Sequence, residues 1–294
     1  MKSKIIHKLR LDKKLKHWDD ESYLRLLYRL RVGGRLNLDH PITYNEKLQW
    51  LKLNYHDQSQ SFLVDKYEVK ERVASQIGRE HVIPTLGVYD AVEEIDFEAL
   101  PESFVLKATH DSGGVVLVPN KSVLDTNKAK TKLRRSLGRS YFYAGREPQY
   151  RDLRPRIIAE PFIVDATEAQ LRDYKFFCFD GEVKALLVIS DRASGKVKND
   201  FFNANYERMD FWQPDPSSTV APDKPKRFYE MLDIARKLSQ GHPHVRVDLY
   251  EANDRVYFGE MTFYPLGGFL NFNPRQWGKI WGDWLNLPEP MPNR

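Results

Sequence analysis

At 294 residues the chain has room for two domains or one large composite, and 41% hydrophobic against 30% charged residues excludes a disordered polymer. A formal charge of +5 suits an anionic ligand or surface without naming one. One cysteine, Cys178, excludes an internal disulfide framework and a multi-cysteine zinc site, and it fits a reducing, cytoplasmic setting.

The opening segment, 1–16, places Ile5, Ile6 and Leu9 among seven basic side chains opposed only by Asp12. That pattern suits either peripheral contact with the inner face of a membrane or a solvated helix packed on the protein. No apolar segment follows the basic residues, so no secretory signal is expected. Apolar runs such as 185–189 are far shorter than the roughly 18–20 residues a spanning helix needs. Asp19 or Asp20 can cap a second helix that ends at Gly33-Gly34. Thr43 and Glu46 have capping-box spacing at the start of a helix carrying Leu48, Trp50 and Leu51. A third helix is expected over 62–77, stopping at Gly78.

From about residue 82 short strands replace the helices. Segments 104–106 and 115–118 flank a glycine loop, 128–137 reads as a helix, and 157–163 as a strand. Segments 174–179 and 183–189 form a hairpin across Asp180-Gly181, a pair suited to a type I′ turn. A proline-rich loop at 214–225 precedes a helix over 228–240. Strands 245–250 and 256–261 are then joined by Asn253-Asp254. Helices followed by strands with few strand–helix–strand units predict an α+β fold with largely antiparallel sheets.

Several segments can carry chemistry. In Lys107-Ala108-Thr109-His110-Asp111-Ser112-Gly113-Gly114 a lysine precedes a glycine turn whose N–H groups can approach phosphate oxygens. An ordinary hairpin with a surface lysine fits the same residues. Alternation along the later strands puts Arg246 and Asp248 on one face, and Glu260 and Thr262 on one face of the neighbour. Paired carboxylates there make a hard oxygen site suited to Mg²⁺ with nucleotide phosphates. A cross-strand salt bridge accounts for the pattern equally well. Gly267-Gly268 can present N–H groups to an oxyanion, and Glu160-Pro161-Phe162-Ile163 can offer backbone to a base edge. His242 and His244 have no further ligand nearby, so zinc is not expected. Basic residues are interspersed with acids rather than striped with aromatics, so nucleic acid is not an expected partner.

The order of these features resembles the ATP-grasp superfamily, and more narrowly its TupA-like branch, named for teichuronopeptide biosynthesis. The segments that carry the resemblance are 43–52, Asp65-Lys66-Tyr67, 104–114, 155–160, 173–177, 245–248 and 259–265. It implies an ATP-grasp fold with two mainly antiparallel subdomains. A helical N-terminal region (1–80) would lead into a two-lobed nucleotide-binding and catalytic unit (81–275, hinge near 160–165), followed by a C-terminal tail (276–294).

It further implies that Lys107 contacts the ATP phosphates under the loop Ser112, Gly113 and Gly114. Adenine would lie against Glu160, Phe162 and Ile163, with Asp173 at the ribose and Lys175 nearby. Asp248 and Glu260 would hold Mg²⁺, while Arg246 and Gly267-Gly268 would steady an acyl phosphate. Many such enzymes carry asparagine where Thr262 stands, so Thr262 or a water would complete the metal shell. The implied activity joins a carboxylate to an amine (an amino acid, uronic acid or peptide) at the expense of ATP, in cell-surface polysaccharide biosynthesis. Two competitors remain at this level. One is a Mg²⁺-dependent glycosyltransferase acting on a nucleotide-sugar in the same pathway, and the other is a basic adaptor for acidic polymers or membrane through residues 1–35.

Overall fold

Side chains that satisfy orphan backbone N–H groups set the helix starts in the computed structural model, which describes residues 10–165, 171–190, 195, 197–211 and 216–291. The expected basic helix at the N-terminus falls mostly on residues outside that set. Within it, a single turn, α1 (Leu11–Lys14), precedes α2 (Asp20–Arg31), where the Asp19 carboxylate accepts the Ser22 N–H at 2.8 Å. Helix α3 (Tyr44–Asn54) opens with the expected capping box, Thr43 and Glu46 each accepting from the other's backbone.

The helix expected over 62–77 is instead two, α4 (Ser59–Val64) and α5 (Val69–Ile77). Asp65, only 2% exposed, causes the break. Its carboxylate accepts the N–H groups of Tyr67 and Glu68 at 2.9 and 3.0 Å, which turns the chain and starts the next helix.

All strand pairing is antiparallel, as expected for an α+β chain. Strands β1 (Gly87–Tyr89), β2 (Phe104–Ala108), β3 (Val115–Val118) and β4 (Ile157–Pro161) form a four-stranded sheet ordered β1-β4-β2-β3. The strand expected to reach residue 163 stops at Pro161, which has no N–H to offer a ladder. A five-stranded sheet, β7-β6-β5-β8-β9, contains β5 (Asp173–Phe179), β6 (Glu182–Ser190), β7 (Lys198–Phe202), β8 (His244–Ala252) and β9 (Arg255–Thr262). Asp180 and Gly181 (φ 48° and 80°) and Asn253 and Asp254 (φ 50° and 57°) turn its hairpins with the positive φ values that type I′ requires.

Helix α6 (Thr126–Leu137) covers the smaller sheet through Ala129 and Leu133 and is followed by a short helix, α7 (Phe142–Gly145). Helices α8 (Phe228–Ser239) and α9 (Gln276–Trp284) pack with α3–α5 into the core of the larger sheet. Trp281 of α9 is fully buried against the rings of Tyr44, Phe177 and Phe272. Truncating such a side chain to alanine costs about 3–5 kcal/mol.

Tyr44 also fixes the start of β8. It lies 2.7 Å from His244 Nε2, while Nδ1 sits 2.8 Å from the Cys178 carbonyl. The carbonyl only accepts, so Nδ1 carries the proton and Nε2 accepts from the phenol, leaving a neutral imidazole. Burial pushes the Cys178 thiol up to about 12, consistent with a core residue rather than a nucleophile.

Candidate active site

The hairpin register of β8 and β9 sets Asp248 opposite Glu260 and Arg246 opposite Thr262. Period-two alternation then turns all four side chains to one face of the sheet. Arg246 lies between them. Its Nε donates to Asp248 Oδ1 at 2.6 Å, and Nη2 donates to Asp248 Oδ2, Glu260 Oε1 and Thr262 Oγ1 at 2.8, 2.9 and 3.0 Å. Strand β5 adds Lys175, opposite Asp248 in the other ladder, and its ammonium bonds the same Oδ2.

Two cations therefore balance two carboxylates. Asp248 is 2% exposed, and burial pushes its pKa up against the pull of Arg246 and Lys175. Glu260 stands at the rim. Burial opposes its charge, but the fields of Arg246, Lys66 and Lys175 outweigh that and hold it down to about 2.

The smaller sheet builds a different cluster. Val105 pairs with Glu160 and Lys107 with Ile158, so Lys107 and Glu160 are diagonal neighbours on one face. Glu160, 4% exposed, receives Lys107 on one oxygen and Lys70 of α5 on the other, both at 2.5 Å. Lys70 also donates to the Ile83 carbonyl at 2.7 Å. Two ammonium groups facing one carboxylate leave a net positive charge in a largely buried cluster, the condition that attracts polyphosphate.

The glycine loop is anchored at both ends and open at its tip. Asp111 accepts from the Gly114 N–H at 3.3 Å and from Ser136 Oγ at 2.7 Å, while Ser112 and Gly113 are exposed. A side chain at Gly114 would lie 2.3 Å from Ser136 Oγ and 2.8 Å from Ala108 Cβ, so only glycine lets the return strand close. Lys66 ties this loop to the other sheet. Its ammonium donates to the Asp111 carbonyl at 2.6 Å, and its charge reaches Glu260.

Besides Ser112, Gly113 and Gly114 of the glycine loop, the sequence-expected site residues fall into three groups. Arg246, Asp248, Glu260, Thr262 and Lys175 form one hydrogen-bonded network, with Asp173 two residues from Lys175 on the same face of β5. Lys107 and Glu160 form a second, beside half-buried Phe162 and Ile163, which follow the end of β4. Gly267 and Gly268 belong to a third. No direct hydrogen bond or ion pair among the described residues joins Lys107 to Asp248 or to Glu260.

Leu266, Gly267 and Gly268 all adopt positive φ (53°, 67° and 72°), and α3 holds the carbonyls of the two glycines. Gln49 donates to the Gly268 carbonyl at 2.8 Å, and Lys52 donates to those of Gly267 and Gly145 at 2.7 and 2.8 Å. A methyl group at Gly268 would sit 2.4 Å from Gln49 Nε2 and 3.0 Å from Leu48 Cβ. The N-terminal helices therefore brace the turn nearest the carboxylates.

Sequence reasoning missed Lys70, Gln49, Lys52 and Glu147. Lys70 carries no readable signal, because Lys66 lies in the turn before α5 and only the fold brings Lys70 to Glu160. Glu147 has none, because it becomes notable only through its burial beside Lys52, Arg31 and Arg246.

The donor set fits Mg²⁺ better than a metal held entirely by protein. Asp248 and Glu260 supply two carboxylates and Thr262 a hydroxyl, all hard oxygens. An octahedral ion would take its remaining ligands from water and phosphate. Because Arg246 and Lys175 already neutralise both carboxylates, a dication is favoured there only together with an anionic nucleotide.

No curated sequence matches the chain. Among solved structures, D-alanine–D-alanine ligase from Bacillus anthracis shares 16% identity at a TM-score of 0.39, covering 70% of this chain and 58% of the ligase. The RimK domain ATP-grasp protein from Sphaerobacter thermophilus shares 14% at 0.40, covering 89% and 76%. The ATP-grasp ligase PsnB, solved with a precursor variant, Mg and ADP, shares 11% at 0.39, covering 74% and 57%. This chain therefore spans less than two thirds of the length of the D-alanine–D-alanine ligase. A family model for TupA-like ATP-grasp proteins matches residues 46–286, most of the chain and every site residue described above, and the chain belongs to that family.

Proposed function

We propose that the protein is an ATP- and Mg²⁺-dependent carboxylate–amine ligase acting in cell-surface polysaccharide biosynthesis. The observation that carries this reading is the register pairing of Asp248 with Glu260 around Arg246. That arrangement suits a phosphoryl-transfer centre in which charge neutralisation and positioning supply most of the catalysis.

In this reading Lys107 and Lys70 hold the triphosphate, the loop Ser112–Gly114 covers it, and Glu160 to Ile163 face adenine at the hinge. Asp173 takes the ribose and Lys175 stays close by. Asp248, Glu260 and Thr262 would hold Mg²⁺, which when bound neutralises phosphate charge. A substrate carboxylate oxygen attacks the γ-phosphorus, and ADP leaves with the electrons of the broken P–O bond. An amine nitrogen then attacks the acyl carbon, inorganic phosphate departs, and the nitrogen sheds a proton as the amide forms. Arg246 and the N–H groups at Gly267-Gly268 stabilise the acyl phosphate. No protein nucleophile is needed.

ADP release with pooled uronic acids and amino acids, with products read by mass spectrometry, tests the proposal. The expected result is a product heavier than the acceptor by one amino acid less water, together with stoichiometric ADP and phosphate. Thermal protection by UDP-sugars and none by Mg·ATP would instead establish the glycosyltransferase reading.

A further inference from the structure

The positive surplus of this chain is confined to one part of it. Residues 1–35 hold eleven lysines and arginines against four acids, a surplus of seven, and because the whole chain carries +5 the remainder is net acidic by two. Lys70, Lys107, Lys175 and Arg246, the cations of the candidate active site, all belong to that acidic remainder, so the surplus serves another surface.

Part of it lines an open groove of about 780 Å³ between α2 and the segment that folds back after it. Gly33 and Gly34 (φ 95° and 79°) reverse the chain and Leu36 is buried beyond them, so Arg35 shares the groove with Arg25 and Arg29. Arg25 and Arg29 are neighbours on one face of α2, while Tyr23, Leu24, Leu27 and Tyr28 pack toward Phe269. Arg25 is held in place, its Nε donating to Glu21 Oε1 and its Nη1 to the Leu36 carbonyl, both at 2.8 Å. Arg29 and Arg35 are exposed and engage no hydrogen bond or ion pair among the described residues. Leu26, Gly34 and Leu36 complete the lining, and no described acidic side chain is part of it. Like charges four residues apart on a helix repel, and a third guanidinium adds to that, so the cluster costs stability until an anion occupies it.

We propose that this groove binds an acidic polysaccharide, a chain that bears a carboxylate on each sugar. A guanidinium presents a planar fork that matches a carboxylate. Arg25 and Arg29 are about 6 Å apart along the helix axis, the scale of one sugar ring, so successive carboxylates can meet successive arginines. Leu26 and the bare backbone of Gly34 give the ring faces a floor, and a Cβ at Gly34 would meet nothing within 4 Å, so the space above it is open. No aromatic side chain lines the groove to stack a base, which disfavours nucleic acid. A concave surface without a broad apolar face suits a single chain better than a flat bilayer. The site is separate from the nucleotide cleft, and the inference stands whether or not the ligase reading does.

Fluorescence anisotropy of a labelled oligogalacturonate with the full chain, at low salt and without nucleotide, tests it. The oligomer should bind, should weaken as salt is raised, and should lose binding on methyl esterification, which removes its charges. Arg29→Gln combined with Arg35→Gln should weaken it roughly fivefold to tenfold, the loss of two exposed charged contacts. Both side chains are exposed and unpaired, so the melting temperature and the affinity for Mg²⁺ with the ATP analogue AMPPNP should not change. Lys13→Gln, Lys14→Gln and Lys16→Gln together remove three exposed cations outside the groove and should have a smaller effect. An equal or larger loss in that lysine variant would overturn the groove and leave only diffuse attraction. No binding of the oligogalacturonate, or equally tight binding of a DNA oligonucleotide of the same charge, would overturn it too. Phosphatidylglycerol vesicles that bind through Arg29 and Arg35 when the oligogalacturonate does not would assign the surface to a membrane instead.

Discussion

The two sheets treat charge in opposite ways. On the smaller one, Lys70 and Lys107 converge on the single carboxylate of Glu160, so the cluster carries a cationic surplus before any ligand arrives. On the larger one, Arg246 and Lys175 exactly offset Asp248 and Glu260, and the cluster is neutral. A surplus attracts an anion directly. In the proposed ligase a balanced cluster would gain a dication only when phosphate accompanies it, which would make metal binding conditional on nucleotide. In that reading the difference separates a site that captures from one that responds.

Substitutions can break that contrast. The largest effect is expected from Asp248→Asn, which strands Arg246 and Lys175 beside a neutral group. Removing one partner of a buried pair costs about 3–5 kcal/mol of stability. Urea denaturation should show that loss, and titrations with ATP should no longer tighten when Mg²⁺ is added. A preserved Mg²⁺ response would show that the metal sits elsewhere.

Lys70→Met attacks the other cluster. It should weaken ATP by roughly tenfold or more, with and without Mg²⁺, as loss of a charged hydrogen bond does. The metal response itself should survive. If instead the Mg²⁺ dependence disappears while metal-free affinity is unchanged, the division of labour between the sheets is wrong.

A smaller effect concerns the base of the larger sheet. Burial holds the His244 imidazole down to about 3, despite its bond to the Cys178 carbonyl. With the folded value depressed, the unfolded chain binds the extra proton below about pH 6.5. Stability is complete above that pH and falls by about 1.4 kcal/mol per unit as pH drops toward 3. Urea midpoints at pH 7 and 5 should therefore fall less in His244→Gln than in the unaltered chain, and equal falls would clear His244 of the effect. The smallest loss belongs to Thr43→Ala, about 1 kcal/mol for the cap of the helix that carries Gln49 and Lys52. Circular dichroism melts should register it without a change in the Mg²⁺ response.

Much of this molecule is readable one residue at a time, because caps, turns and alternation act over a few positions. Thr43 with Glu46, Asp180-Gly181, and the alternating Arg246, Asp248, Glu260 and Thr262 needed no knowledge of distant chain. The helix over 62–77 failed for a matching reason. Its apolar spacing is helical throughout, but the buried Asp65 carboxylate pairs with Arg156, 91 residues along the chain, and there it caps a new helix.

Length and charge, the coarsest features of the sequence, left room for a divided site and a mild preference for anions, and the order of helices and strands predicted an α+β chain. Local pattern named the carboxylates, the lysine before the glycine loop and the glycine turn. Only the tertiary structure decided which cations meet which acids. It gave Glu160 two lysines, gave Asp248 both Arg246 and Lys175, and left the buried Glu147 with one weak donor in the field of Lys52, Arg31 and Arg246. The physical reason is range. Backbone hydrogen bonds and side-chain period act within a turn or a strand, whereas the field at a buried charge depends on every element packed around it.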